Sequence, residues 1–335
     1  MKPSKSRIAF FAVGLGIFVY LVSRFGVDQI LSNIERAGWS LLYIMGVWLV
    51  VYLLNTLAWK LVLGSRGNTI SFGRLFMVTV SGFSINYITP LIAIGGEPYR
   101  VKALAGTLGT EQSVSAVVVY RMVHLLGHML LLLTGILAAL LFVSLPVPVE
   151  MVLLFAGVLV LIVIVLTLSG HRKGIFHRLQ NMAGRFRVLR RLSGVLKNYE
   201  RELGEIDRVI TDIYRHERAT FALAIFLEFV SRVCMGLEVY LIVRGVGVEI
   251  TMVSALFVYV TYSIIINLMF FIPLSLGSRE GGLLLGLGSL ALPPLLGVYL
   301  GVVMRIREFF WIMLGLLFIL LTSDKVKHPV VRSVV

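Results

Sequence analysis

Two glutamates occupy matching places in the two halves of this chain, each at the end of an apolar run broken by proline and glycine. The first run reads Asn86-Tyr-Ile-Thr-Pro90-Leu-Ile-Ala-Ile-Gly95-Gly96-Glu97, with Arg100 and Lys102 close behind. The second reads Asn267-Leu-Met-Phe-Phe-Ile-Pro273-Leu-Ser-Leu-Gly277-Ser278-Arg279-Glu280. Each glutamate stands seven residues after its proline. Breaks of this kind free backbone N–H and C=O groups that lipid cannot satisfy, so they belong inside protein or along a watery cavity. Paired breaks in two halves of a membrane protein point to a transport site. The plainer alternative is two apolar helices that end in surface turns.

The remaining candidates are ionisable groups inside apolar sequence, where a charge costs several kcal/mol unless it meets protein or water. Arg121, His124 and His128 are spaced three and four apart and share one helix face. Two histidines at that spacing can ligate a metal, but no zincin glutamate and no cysteine partner accompany them, so no metal and no cofactor is expected. Arg121 near the start of its run can face a cavity or simply snorkel to the interface. Glu228 and Arg232 stand four apart and pair either as a structural bridge or at a site, and Glu238 reads as interfacial. Arg305, Arg307 and Glu308 interrupt the last apolar stretch, as a hairpin tip or a buried polar site. Arginine binds phosphate bidentately and stays charged. Arg100, Arg121, Arg232 and Arg279, with helix N-termini beside them, are therefore candidates for a phosphate headgroup. Glu97 and Glu280 suit a cationic or hydroxyl-bearing headgroup, or a proton.

These residues must be positioned by membrane helices. Hydrophobic residues are 58% of the 335 and charged residues only 14%. Mean hydropathy is +0.95. Soluble domains carry about 25% charged residues, so the composition predicts an all-α, polytopic membrane protein. One cysteine, Cys234, excludes a disulfide framework. The net charge of +14 does not imply nucleic acid, because twelve of the 31 Lys and Arg residues crowd into 171–218 beside a membrane segment. That stretch carries Ile175, Leu179, Met182, Phe186, Leu189, Leu192 and Leu196 at helical spacing, which predicts a basic amphipathic connector on the inner leaflet.

Apolar runs fall at roughly 8–22, 38–63, 75–95, 114–143, 149–169, 219–243, 251–273, 283–304 and 306–322. Lys2, Lys5 and Arg7 precede the first, which lacks a small-residue cleavage site and reads as an uncleaved helix. The uncharged 144–149 turn lies outside and 171–218 inside, which places Glu97, Arg100 and Lys102 on the cytoplasmic side. The 75–95 run is then re-entrant. In the second half, either 251–273 crosses and 283–304 returns, or 251–280 is a hairpin approached from the opposite side. Lys325, Lys327, His328 and Arg332 favour a cytoplasmic C-terminus, matching the N-terminus. About eight embedded helical segments are expected, in one integral domain with a possible internal repeat. Pro90, Gly95, Gly96, Pro273 and Gly277 would be its hinges.

The Gly95-Gly96-Glu97-Pro98-Tyr99-Arg100 turn followed by Leu104, together with Pro273…Gly277-Ser278-Arg279-Glu280-Gly281-Gly282, resembles the lysylphosphatidylglycerol synthase transmembrane-region family, also called the UPF0104 or flippase-like domain family. The resemblance covers about residues 5–322. Where that family carries a glycine-rich P-x-P-G-G-x-G run, this chain has Leu274 and Ser275 after the proline and Ser278-Arg279 before Glu280. The departure bears on headgroup specificity. The resemblance implies a lipid-translocating domain of the cell membrane. In the two-domain synthases such a domain is fused to a soluble aminoacyltransferase. This chain ends at Val335, so a stand-alone member that is not itself an enzyme is expected. Its implied partners are a membrane lipid, anionic or polyprenyl-linked, and a lipid-synthesis enzyme. The competing readings are a membrane-embedded lipid-modifying enzyme with Glu97 or Glu280 as base, and a non-catalytic scaffold of a lipid-synthesis complex. No Walker sequence is present, so no ATP site is expected.

Overall fold

The computed structural model describes residues 38–88, 95–170, 218–269 and 277–321, together with Asp28, Glu35 and Ser275. Among these residues all regular structure is helical. The first half holds α1 (Ser40–Leu63), α2 (Phe72–Ile88), α3 (Gly96–Leu108) and α4 (Thr110–Phe142), followed by α5 (Val147–Gly170). The second half holds α6 (Arg218–Gly245), α7 (Met252–Leu268), α8 (Ser278–Ser289) and α9 (Pro294–Leu321).

The two halves share one pattern of lengths. Helices of 24, 17, 13 and 33 residues in α1–α4 answer helices of 28, 17, 12 and 28 residues in α6–α9. At about 1.5 Å per residue, 24 residues or more can span a hydrocarbon core of about 30 Å, whereas 12 or 13 reach only about half-way. α1 (with the 3-10 turn that follows it), α4, α5 and α6 are long and apolar enough to cross a membrane. α9 has the length but carries Arg305, Arg307 and Glu308 in its middle.

The short helices are arms of hairpins. At one end of the first pair Asn86 of α2 binds Gly96 of α3, and at the other end Arg74 of α2 donates to Thr107 and to the Ala103 carbonyl of α3. The two helices are therefore antiparallel, and both outer ends lie on one side. In the second pair Gly282 of α8 sits against Tyr262 of α7 and Gly286 against Val258, again antiparallel. The second half thus holds an antiparallel pair of short helices whose second arm runs to Ser289, beyond the 251–280 bounds of the hairpin reading.

The halves are also inverted with respect to each other. α1 packs along α6 with Ser40 beside Gly245 and Asn55 beside Ser231, so these corresponding helices run in opposite directions. The cross-contacts are reciprocal. Ser81 and Ser84 of α2 donate to the Gly315 and Trp311 carbonyls of α9. On the other side α7 runs antiparallel to α4, with Val260 against Gly135 and Asn267 against His128. Close approach rests on glycine, because apolar side chains gain little by leaving lipid and packing must hold the helices together. A Cβ on Gly127 would come within 2.6 Å of the Glu228 Cβ, and one on Gly236 within 2.8 Å of Leu256.

Several boundaries differ from the hydropathy reading. The runs at 75–95 and 251–273 stop as helices at Ile88 and Leu268. The runs at 283–304 and 306–322 are instead α8 and one continuous α9, because the charges at 305–308 find partners inside the bundle and do not break the helix. Glu238 is not interfacial: it is buried and held by Arg307. The apolar run at 8–22, the amphipathic connector before Arg218, Pro90 and Pro273 lie outside the described residues.

Candidate functional site

The first hairpin tip gathers one carboxylate oxygen and three donors. α3 begins at Gly96, whose N–H donates to Asn86 Oδ1 at 2.7 Å. A Cβ there would collide with the Gly82 carbonyl and the Asn86 side chain, which is why the tip needs glycine. Glu97 Oε1 then accepts from Asn86 Nδ2 at 3.3 Å and Arg100 Nη1 at 3.2 Å, and Arg121 Nε of α4 stands 3.3 Å away. Glu97 Oε2 is buried with no partner. Arg100 is fully buried in a box of aromatic rings, its guanidinium carbon 4.5 Å from the Phe83 centroid, 5.6 Å from Tyr120 and 5.7 Å from Trp59. Cation–π attraction replaces part of its lost hydration, yet Nε and Nη2 make no hydrogen bond. Each unmade bond of a buried donor costs about 1–3 kcal/mol.

One turn deeper, His124 Nδ1 lies 2.8 Å from Glu228 Oε2, and Arg232 contacts both the histidine ring and, at 3.7 Å, the same carboxylate. The Glu228–Arg232 pair is thus a three-residue cluster across α4 and α6. His128 reaches the other half: its Nε2 lies 3.3 Å from Ser263 Oγ and 3.4 Å from Asn267 Nδ2.

The second tip is built from the same parts. Gly277 adopts φ 77, and its N–H donates to Glu280 Oε2 at 3.0 Å, closing a cap on α8. Glu280 Oε1 accepts from Arg305 of α9 through Nε at 3.2 Å and Nη2 at 2.7 Å. Arg279 grips Glu308 with two N–H groups at 2.8 Å each. Arg307 grips Glu238 at 2.9 and 3.1 Å and lies 3.7 Å over the Trp48 ring. Ser278 Oγ and Arg279 Nε are buried without a hydrogen bond.

A cavity of about 110 Å³ is walled by Trp48, Tyr87, Arg232, Met235, Glu238, Tyr259, Tyr262, Met304 and Arg307, from five helices. Six guanidinium groups (Arg100, Arg121, Arg232, Arg279, Arg305, Arg307) meet five carboxylates (Glu97, Glu228, Glu238, Glu280, Glu308). One positive charge is in excess. Among the described residues no group of His, Cys, Asp and Glu side chains is placed to hold a metal ion.

The eight site residues singled out in the sequence therefore fall into three groups. Glu97, Arg100 and Arg121 meet at the first tip; His124, Glu228 and Arg232 meet beside the cavity; Arg279 and Glu280 sit together at the second tip but bind different partners. Arg305, Arg307, Glu308, Glu238 and the three tyrosines were not singled out for the site. For Arg305 a signal existed. Arg121 follows Glu97 by 24 residues, and Arg305 follows Glu280 by 25; each arginine is the twelfth residue of its helix. Nothing local links Glu238 to Arg307, which are 69 residues apart.

Two inverted sets of helices, each with an antiparallel hairpin of short helices and paired charges at its tip, define a multi-pass membrane protein. The chain belongs to the lysylphosphatidylglycerol synthase transmembrane-region family, whose model matches residues 7–315. It is similar to a "UPF0104 membrane protein" of Methanothermobacter thermautotrophicus, 25% identical over 311 residues that cover 87% of this chain and 86% of the relative. No solved structure matches the chain.

Proposed function

We propose that this protein moves a lipid headgroup between leaflets along the polar path joining the two hairpin tips, with the acyl chains left in the surrounding lipid. The observation that carries this reading is a set of eleven paired charged side chains inside two inverted halves, of which Arg232, Glu238 and Arg307 wall a cavity. Such a set is costly to bury and gains nothing by lining lipid. The excess positive charge suits an anionic headgroup, a phospholipid or a polyprenyl-linked phosphate. Lys60, Arg66 and Arg74 gather at the outer ends of α1 and α2, with Lys102 midway along α3, and this face is the cytoplasmic one in a cell membrane. The enzyme reading is the weaker, because each of the five carboxylates already faces a guanidinium. A lipid-synthesis enzyme working beside the protein would supply the substrate.

The test is a leaflet assay. Purified protein goes into phosphatidylcholine vesicles carrying fluorescent phosphatidylglycerol, and dithionite reports the probe as it reaches the outer leaflet. Wild-type protein is expected to expose the inner-leaflet probe, and Glu97→Gln, Arg121→Gln and Glu280→Gln to slow it by roughly ten-fold while remaining monodisperse. Unchanged movement in all three would remove these residues from the path. In a Cys234→Ala background, a cysteine at Glu97 should react with an impermeant thiol reagent from the cytoplasmic side. Reaction from the outside alone would reverse the topology.

A further inference from the structure

The geometry points to two headgroup stations rather than one: a lipid phosphate displaces Glu97 from Arg121 at the first, and Glu280 from Arg305 at the second. This rests on the transport reading above and adds Arg305 to the site.

Three observations carry it. The carboxylate–arginine pair recurs at the same place in both halves, at the first turn of the short hairpin helix and the twelfth residue of the helix that follows. The hairpins enter from opposite sides, so the two pairs are related by the inversion. Beside each pair are buried donors with no hydrogen bond, Arg100 Nε and Nη2 at the first, Ser278 Oγ and Arg279 Nε at the second. Buried donors that neighbouring protein leaves unsatisfied beside a helix N-terminus are what an oxyanion needs.

A phosphate monoanion and a carboxylate present the same kind of paired oxygens to a guanidinium. Each glutamate therefore acts as a stand-in that keeps its arginine paired until the headgroup arrives. The cavity walled by Arg232, Glu238 and Arg307, at about 110 Å³, exceeds the roughly 10–15 Å³ that one water needs and has room for a phosphate-sized group. The two stations also differ in exposure. Arg121 is 41% exposed and Arg305 6%, so the first is open and the second closed in this conformation.

A stand-in carboxylate and a structural partner predict opposite signs. The full chain, purified in mixed micelles with phosphatidylglycerol, is analysed by native mass spectrometry for retained lipid. Arg305→Gln should hold about ten-fold less phosphatidylglycerol than wild type, and Glu280→Gln, which removes the competing carboxylate, roughly three-fold more. Arg121→Gln and Glu97→Gln should show the same opposition. Should Arg305→Gln fail to fold, Arg305→Lys keeps the charge without the fork and should retain about three-fold less lipid. Equal losses in Glu280→Gln and Arg305→Gln, or wild-type retention in Arg305→Lys, would overturn the stations. Fluorescent glucosylceramide, which has no phosphate, separates this from the parent reading. Movement of glucosylceramide with no effect of the arginine variants removes the stations and leaves transport standing. Movement of neither lipid by wild type removes the transport reading itself.

Discussion

The first hairpin tip and the second use one design with different tightness. At the first, Glu97 spends a single oxygen on Asn86, Arg100 and Arg121, each at 3.2–3.3 Å, and leaves the other oxygen unused. At the second, Glu280 uses both oxygens, one on the Gly277 backbone and one on Arg305 at 2.7 Å. Its neighbour Arg279 is locked bidentately on Glu308. Geometry of that quality repays the desolvation of a buried ion pair, whereas a shared, long contact does not. The lesson is that the repeat preserves the position of each charge and not its satisfaction. The second tip pairs its charges more tightly, although each tip keeps buried polar atoms without a hydrogen bond.

The sharpest way to break that contrast is to strip the better-paired side. Glu308→Gln leaves Arg279 without its anion and Arg307 without one of its two, and should cost about 3–5 kcal/mol of stability, read as a fall in thermal unfolding temperature in detergent. Glu97→Gln should cost clearly less. A reversal of this order would mean that the short distances at the second tip do not measure its contribution.

Exchanging the residues at the first position of the two short helices gives a smaller effect. Gly96→Ser makes the first tip chemically like the second, but its Cβ would meet the Gly82 carbonyl, and overpacking of this kind costs about 1–3 kcal/mol. Ser278→Gly, the opposite exchange, should cost about 1 kcal/mol or less. Paired melting curves decide it, and equal losses would show that the first tip yields more than its packing indicates.

The smallest effect is expected where the pair is most exposed. Arg121→Gln should cost about 1 kcal/mol or less, since solvent screens its contact with Glu97. Arg305→Gln should cost more, because only 6% of its side chain is exposed. Chemical denaturation of the two variants side by side tests the difference, and a larger loss at Arg121 would refute the open-and-closed assignment.

The first hairpin was legible in the sequence because an apolar run that ends in a glycine turn between two cytoplasmic stretches has few solutions in lipid, whereas the second half stayed open between a hairpin and a full crossing. The first tip was legible for the same reason, since Asn86, Gly96, Glu97 and Arg100 lie within fifteen residues of one another. The continuity of α9 was not legible. A window of hydropathy registers three charges at 305–308 as an interruption, whereas their partners Glu238, Arg279 and Glu280 come from α6 and α8. Tyr87, Tyr259 and Tyr262 were hidden differently: aromatic residues in apolar runs look alike whether they face lipid or wall a cavity, and only the packing of five helices distinguishes them.

α5 has no counterpart among the described helices of the second half. It packs mainly on α4, and only 22% of its apolar window is covered by protein. A unit of two crossings and one hairpin returns the chain to the side from which it set out, so a copy placed directly after it would thread in the same sense. One added crossing reverses that sense. The helix that contributes least to the packed interior thereby supplies the parity on which the antiparallel threading depends, and its side chains are free to vary as long as they remain greasy and numerous enough to span the bilayer.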